Sequence, residues 1–181
     1  MLLSLAAVGF LAYLIDEIAE GGSFHWDSVL LLALRVPGHL DRPIGPGWLP
    51  LSAIDISALG GFTLLWLFGA LVLSFLVFIH RRAEAAWLFA SLAGASMLDA
   101  SLKAILHRPR PMVVPHLTMV DNASFPSGHA MISAAIYLTI AAMLAEAQRT
   151  IAARVYLMAA ATLIVFLIGA SRIYLGVHWP S

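Results

Sequence analysis

The sequence predicts an all-α fold, a polytopic membrane helix bundle of five visible transmembrane spans with a short amphipathic helix beside them, and two observations carry that prediction. The first is composition: of 181 residues 61% are hydrophobic and 11% charged, with a mean hydropathy of +0.92. Soluble domains run closer to one half apolar and about a quarter charged. Disorder is excluded too, because it requires few apolar residues and many charges. The second is segmentation: roughly 20 apolar residues cross a hydrocarbon core of about 30 Å, and stretches of that kind recur between charged or proline-rich connections.

In chain order, residues 2–15 are apolar and stop at Asp16-Glu17. They lack the basic start and small-residue cleavage site of a secretory signal, so they read as a first span. Residues 24–35 place apolar side chains along one helical face and polar ones opposite, the pattern of an interfacial helix. Residues 37–50, PGHLDRPIGPGWLP, hold four of the nine prolines and three glycines and read as an irregular loop. Residues 56–79 form the clearest span, without charge until His80-Arg81-Arg82. Further spans fall at about 85–106, 129–147 and 152–170. The whole of 1–181 reads as one membrane domain.

Arg81-Arg82 and Arg149 with Arg154 sit in short connections, and the positive-inside rule assigns both to the cytoplasm. The segments 20–55, 107–128 and everything after Arg172 then face outward. Ten Lys plus Arg balance ten Asp plus Glu, so no global field exists to attract nucleic acid, and electrostatic function must come from local clustering. The absence of cysteine removes thiolate metal sites, iron–sulfur clusters and cysteine nucleophiles.

Three clusters fall at outward ends of spans. Lys103-Ala-Ile-Leu-His-Arg108-Pro-Arg110-Pro111 brings three cations to a membrane surface, either snorkelling or meeting a ligand. Lys103 and Arg110, seven apart, share a face if the helix persists, with Arg108 rotated away. Asp99 lies one turn before Lys103, in the order that favours an ion pair, and reads as its structural counter-ion. In Phe125-Pro126-Ser127-Gly128-His129, a Ser-Gly pair opens a helix whose unpaired N–H groups either form an anion site or are closed by an ordinary serine cap. His129 would stand beside a bound anion, where a general acid belongs. Ser171-Arg172 and His178 form the third cluster. Cations, a helix N-terminus and two histidines are what phosphoryl transfer through a histidine nucleophile requires.

These residues resemble the type 2 phosphatidic acid phosphatases, which share a site with the vanadium-dependent haloperoxidases. The family's motifs are Lys-x6-Arg-Pro, Pro-Ser-Gly-His and Ser-Arg-x5-His-x3-Asp. They match Lys103 to Arg110-Pro111, Pro126 to His129, and Ser171-Arg172 to His178. The resemblance implies a lipid phosphate phosphatase that cleaves a phosphomonoester or pyrophosphate on a lipid headgroup. His178 would be the nucleophile forming a phosphohistidine and His129 the general acid. Lys103, Arg110, Arg172, Ser127 and the Gly128 amide would hold the phosphate, with Asp99 and Ser171 in support.

The third motif's aspartate, which orients the nucleophilic imidazole, would fall one position past Ser181. Pro180 suits the first turn of a helix, so a sixth span is expected beyond a C-terminally truncated end, with an impaired enzyme as the consequence. No metal or cofactor is expected, because side chains supply the cations and the outer carboxylates are not grouped as ligands. The expected partners are a lipid phosphate substrate and membrane lipids, with no nucleic acid, and the expected location is the plasma membrane with the site on its outer face. A lipid phosphotransferase and a non-catalytic anion-binding or transport protein remain open; the spans disfavour a haloperoxidase.

Overall fold

The computed structural model describes residues 24–120 and 123–181, so the span expected at 2–15 lies outside the described residues. Helix α1 (His25–Ala33) matches the amphipathic segment. It exposes Trp26, Val29, Leu30 and Leu32 and buries Asp27 and Leu31. The stretch read as an irregular loop is half ordered. Strands β1 (Arg35–Val36) and β2 (His39–Pro43) pair antiparallel around Gly38, whose φ of 80° makes the tight turn. Pro43 is tolerated because it closes an edge strand. Helix α2 (Leu49–Leu59) follows, with Pro50 in its first turn, where a missing N–H costs nothing.

The uninterrupted span expected at 56–79 does not form. α2 stops at Gly60, and α3 (Phe62–Phe78) restarts after an extended Gly61 at 45° to it. Packing explains the break: a Cβ on Gly60 would lie 2.5 Å from the Ile168 side chain and 3.2 Å from that of His129. Glycine therefore lets the chain bend hard against its neighbours. Helices α4 (Arg82–Leu106), α5 (Gly128–Glu146) and α6 (Ile151–Tyr174) are each long and apolar enough to cross a membrane, and the bent pair α2 and α3 qualifies only together. The described residues thus carry three such helices, or four spans with the bent pair.

Phe62, Leu67, Phe75, Phe78, Trp87, Tyr156 and Phe166 project outward, as expected where the surrounding solvent is lipid. The core between α3, α4 and α5 is Leu65, Leu76, Ala85, Leu88, Leu92, Ile132 and Ile136. α4 and α5 run antiparallel: Glu84 shares a groove with Glu146 at one end, and Lys103 meets Gly128 at the other. The ends of α2, α4 and α6 and the start of α5 consequently gather at one end of the bundle, opposite Arg81, Arg82, Arg149 and Arg154.

Candidate active site

The site residues lie in the end turns of helices or in the segments just past them. Lys103 lies in the last turn of α4, paired with Asp99 at 2.9 Å as the spacing predicts. His107, at φ 44°, ends the helix, and its N–H is held by the Lys103 carbonyl. Lys103 and Arg110 therefore do not share a helical face. The chain leaves extended, as two prolines require, and returns Arg110 to the same cavity as Lys103. Arg108 turns the other way and is buried against Asp27.

Ser127 caps α5, its Oγ accepting from the Ala130 N–H at 3.5 Å. A Cβ on Gly128 would stand 3.0 Å from Lys103 Nζ and from both Asp99 oxygens, so glycine allows that ion pair to close on the helix start. Arg172, buried at the end of α6, donates through Nη1 to Ser57 Oγ of α2 at 3.1 Å, while its Nε has no hydrogen-bond partner among the described residues. Ser171 bonds back to the Ile168 carbonyl inside α6 and lines neither cavity described here. Gly176, at φ 75°, then turns the chain, the Val177 N–H returns to the Arg172 carbonyl, and His178 is delivered beside Arg110.

His178 is only 4% exposed. Its Nδ1 bonds the Ser124 carbonyl at 2.6 Å, and Arg110 Nη1 reaches both Nε2, at 3.3 Å, and the Val177 carbonyl. A carbonyl can only accept and a guanidinium can only donate, so Nδ1 carries the hydrogen and Nε2 keeps its lone pair. Burial first, then the charges of Arg172 and Arg110, push the imidazole pKa down to about 2. The ring is neutral and unprotonated at Nε2, the state of a nucleophile.

Lys103, Arg110, Gly128, His129, Arg172 and His178 line one cavity of about 410 Å³, walled by Ile54, Ala58, Met119, Val120 and Leu175. Ser127 lines a smaller recess of about 180 Å³ that shares Arg172 and His178 with it. Two participants escape sequence reasoning. Ser57 sits in a run read as membrane span, its polarity the only signal, and Ser124 acts through its backbone, which leaves none.

The profile of the PAP2 superfamily matches residues 84–181. The chain belongs to the PAP2 superfamily. Phosphatidylglycerophosphatase B of Bacillus subtilis (strain 168) is 34% identical over 109 residues, 58% of this PAP2 chain and 52% of that protein, so the chain spans about half the length of this curated relative. Among solved structures, a transmembrane PAP2 type phosphatidylglycerolphosphate phosphatase from Bacillus subtilis superposes with a TM-score of 0.78 at 24% identity, covering 93% of this chain and 83% of the other. LpxE of Aquifex aeolicus superposes at 0.58 with 30% identity, covering 75% and 76% respectively. The long apolar helices and this likeness of fold make the chain an integral membrane protein. Ser57 and the rest of α2 lie outside the matched residues, yet they wall the PAP2 cavity.

Proposed function

We propose that the protein is a membrane lipid phosphate phosphatase that cleaves a phosphomonoester or pyrophosphate on a lipid headgroup through a phosphohistidine. The observation that carries this reading is the imidazole of His178: its Nδ1 hydrogen is fixed on Ser124, and its Nε2 lone pair is held neutral among guanidinium groups. Relatives named for phosphatidylglycerophosphate hydrolysis support a phosphate on a lipid headgroup.

In the first step Nε2 attacks phosphorus and the bond to the lipid oxygen breaks, while protonated His129 gives that oxygen its proton. Lys103, Arg110, Arg172 and the Gly128 N–H neutralise the equatorial oxygens, with Ser127 beside them, a stabilisation worth most where charge develops. In the second step His129 takes a proton from water, water attacks phosphorus, and the P–Nε2 bond breaks to release phosphate and neutral His178. The site faces away from Arg81, Arg82, Arg149 and Arg154, hence toward the outer side of the plasma membrane under the positive-inside rule.

Detergent-purified protein assayed against phosphatidate, phosphatidylglycerol phosphate and a polyprenyl diphosphate should release inorganic phosphate from at least one. An alkaline quench should trap labelled phosphate on His178. Absence of phosphate release from all three by protein that carries the third motif's aspartate, or label that persists in His178→Ala, overturns the reading; transfer of label to a second lipid instead of water makes the protein a phosphotransferase.

A further inference from the structure

Pairing with Lys103 uses only one oxygen of the Asp99 carboxylate. Oδ2 accepts from the lysine at 2.9 Å, while Oδ1, which is buried, has no hydrogen-bond partner among the described residues. A buried acceptor left without a donor is costly, more so when it carries charge, and inside a site the missing donor is one that a ligand can bring. Asp99 lines a second recess of about 180 Å³ together with Gly60, Phe62, Lys103, His129 and Ile132. Gly60 and Phe62 flank the break between α2 and α3, and Phe62 is exposed on the lipid-facing surface. The recess shares Lys103, Gly128 and His129 with the catalytic cavity, so it leads from that cavity to the side of the bundle.

The direction of attack decides which part of the substrate enters it. Nε2 of His178 approaches phosphorus from one side, and the leaving oxygen departs on the opposite side, roughly in line. His178 lines the catalytic cavity but not this recess, whereas His129, the general acid, lines both. The group that departs toward His129 therefore occupies the recess, and its hydrocarbon tail continues past Phe62 into the bilayer. There it meets a carboxylate. A hydroxyl beside the scissile bond supplies the donor that Oδ1 lacks. A leaving group that is itself a phosphate instead brings a second anion toward Asp99, with Lys103 already engaged, and like charges out of water repel strongly. We infer that Asp99 is a specificity-determining residue: it selects lipid phosphomonoesters whose leaving alcohol is uncharged and carries a neighbouring hydroxyl, and it disfavours diphosphates. This rests on the function proposed for the site, and it separates the two phosphate classes left open there.

Kinetics in detergent micelles, on protein that carries the third motif's aspartate, test it with three substrates: phosphatidylglycerol phosphate, its analogue lacking the hydroxyl next to the phosphorylated carbon, and a polyprenyl diphosphate. Removing the hydroxyl should lower kcat/KM of the parent about tenfold or more, the usual value of a hydrogen bond to a charged acceptor. The diphosphate should be cleaved at least as poorly as the deoxy analogue. In Asp99→Ala the preference for the hydroxyl should shrink to within about twofold. Asp99→Asn, which keeps an acceptor but no charge, should raise the diphosphate about tenfold relative to the deoxy analogue. Both variants also release Lys103 from its partner, but that loss falls on all three substrates alike, so the ratios carry the answer. A ratio taken within one preparation does not depend on how much protein is folded, and the substrate comparison in the parent needs no variant. A parent indifferent to the hydroxyl, a parent that prefers the diphosphate, or variants that keep the parent's ratios overturn the inference while the phosphatase function stands. Turnover of none of the three overturns that function, and the role of Asp99 falls with it.

Discussion

Where α3, α4 and α5 meet in the membrane, the buried residues are Leu65, Leu76, Ala85, Leu88, Leu92, Ile132 and Ile136. At the other end of α4 and α5 the buried set includes Asp27, Arg35, Arg108, Ser124, Arg172 and His178. The first region is held by shape, and neighbouring side chains can share a loss. The second is held by named donors and acceptors, so each has a partner to strand. Substitutions in the first should change how much protein is folded, and those in the second what the folded protein does.

The largest effect expected is that of His178→Ala, which should reduce turnover to background and abolish the alkali-stable phosphoenzyme while the detergent-solubilised protein stays monodisperse; loss of folding instead would erase the contrast. His129→Ala should cost about 10²–10⁴-fold on an alkyl phosphate, the usual value of a general acid. It should cost much less on an aryl phosphate with an acidic phenol, and equal losses would remove His129 from that role. Leu92→Ala and Ile136→Ala should destabilise by about 2–5 kcal/mol, read as a lower thermal midpoint, with kcat per folded molecule unchanged. Ser57→Ala strands the Nη1 of Arg172 and should lower kcat/KM about fivefold, for the loss of a hydrogen bond worth about 1 kcal/mol.

A last effect is on acid stability. With His178 at about 2 in the folded state against an ordinary 6.5, the unfolded chain binds a proton between those values that the folded chain refuses. Stability therefore rises with pH through that window, is complete above 6.5 and falls as the pH drops below it. The thermal midpoint should decline from pH 7 to pH 5 more steeply in the parent than in His178→Gln. Parallel declines would show that His178 is not held neutral.

The three motifs were legible because fixed spacings place Lys103, Gly128, His129 and Arg172 in the end turns of helices and Arg110 and His178 in the segments just past them, and helices of membrane-crossing length bring such ends together. The bend at Gly60-Gly61 was not, because a hydropathy window registers apolarity and not direction, although the glycine pair marked the place. The hairpin was hidden by its prolines, which signal a loop unless the strand is known to be an edge. Asp27 was read as the polar face of an interfacial helix, whereas it is that helix's buried anchor. Its partner stands 81 residues away, and no local pattern connects the two.

Gly176 stands where the first and last described segments of the chain lock together. A Cβ there would lie 2.7 Å from an Arg35 nitrogen and 2.9 Å from Val114, and Arg35 itself donates to the Tyr174 carbonyl. The ribosome makes α1, the hairpin and α2 before the residues that complete them, an interval of roughly ten seconds at ordinary elongation rates. Through that interval Arg35 and Ser57 wait for the Tyr174 carbonyl and the Arg172 guanidinium that they bond in the folded chain. Crowding Gly176 would therefore leave nascent chains waiting open in the membrane, within reach of its quality-control proteases, and the defect would be seen first in the amount of protein that accumulates.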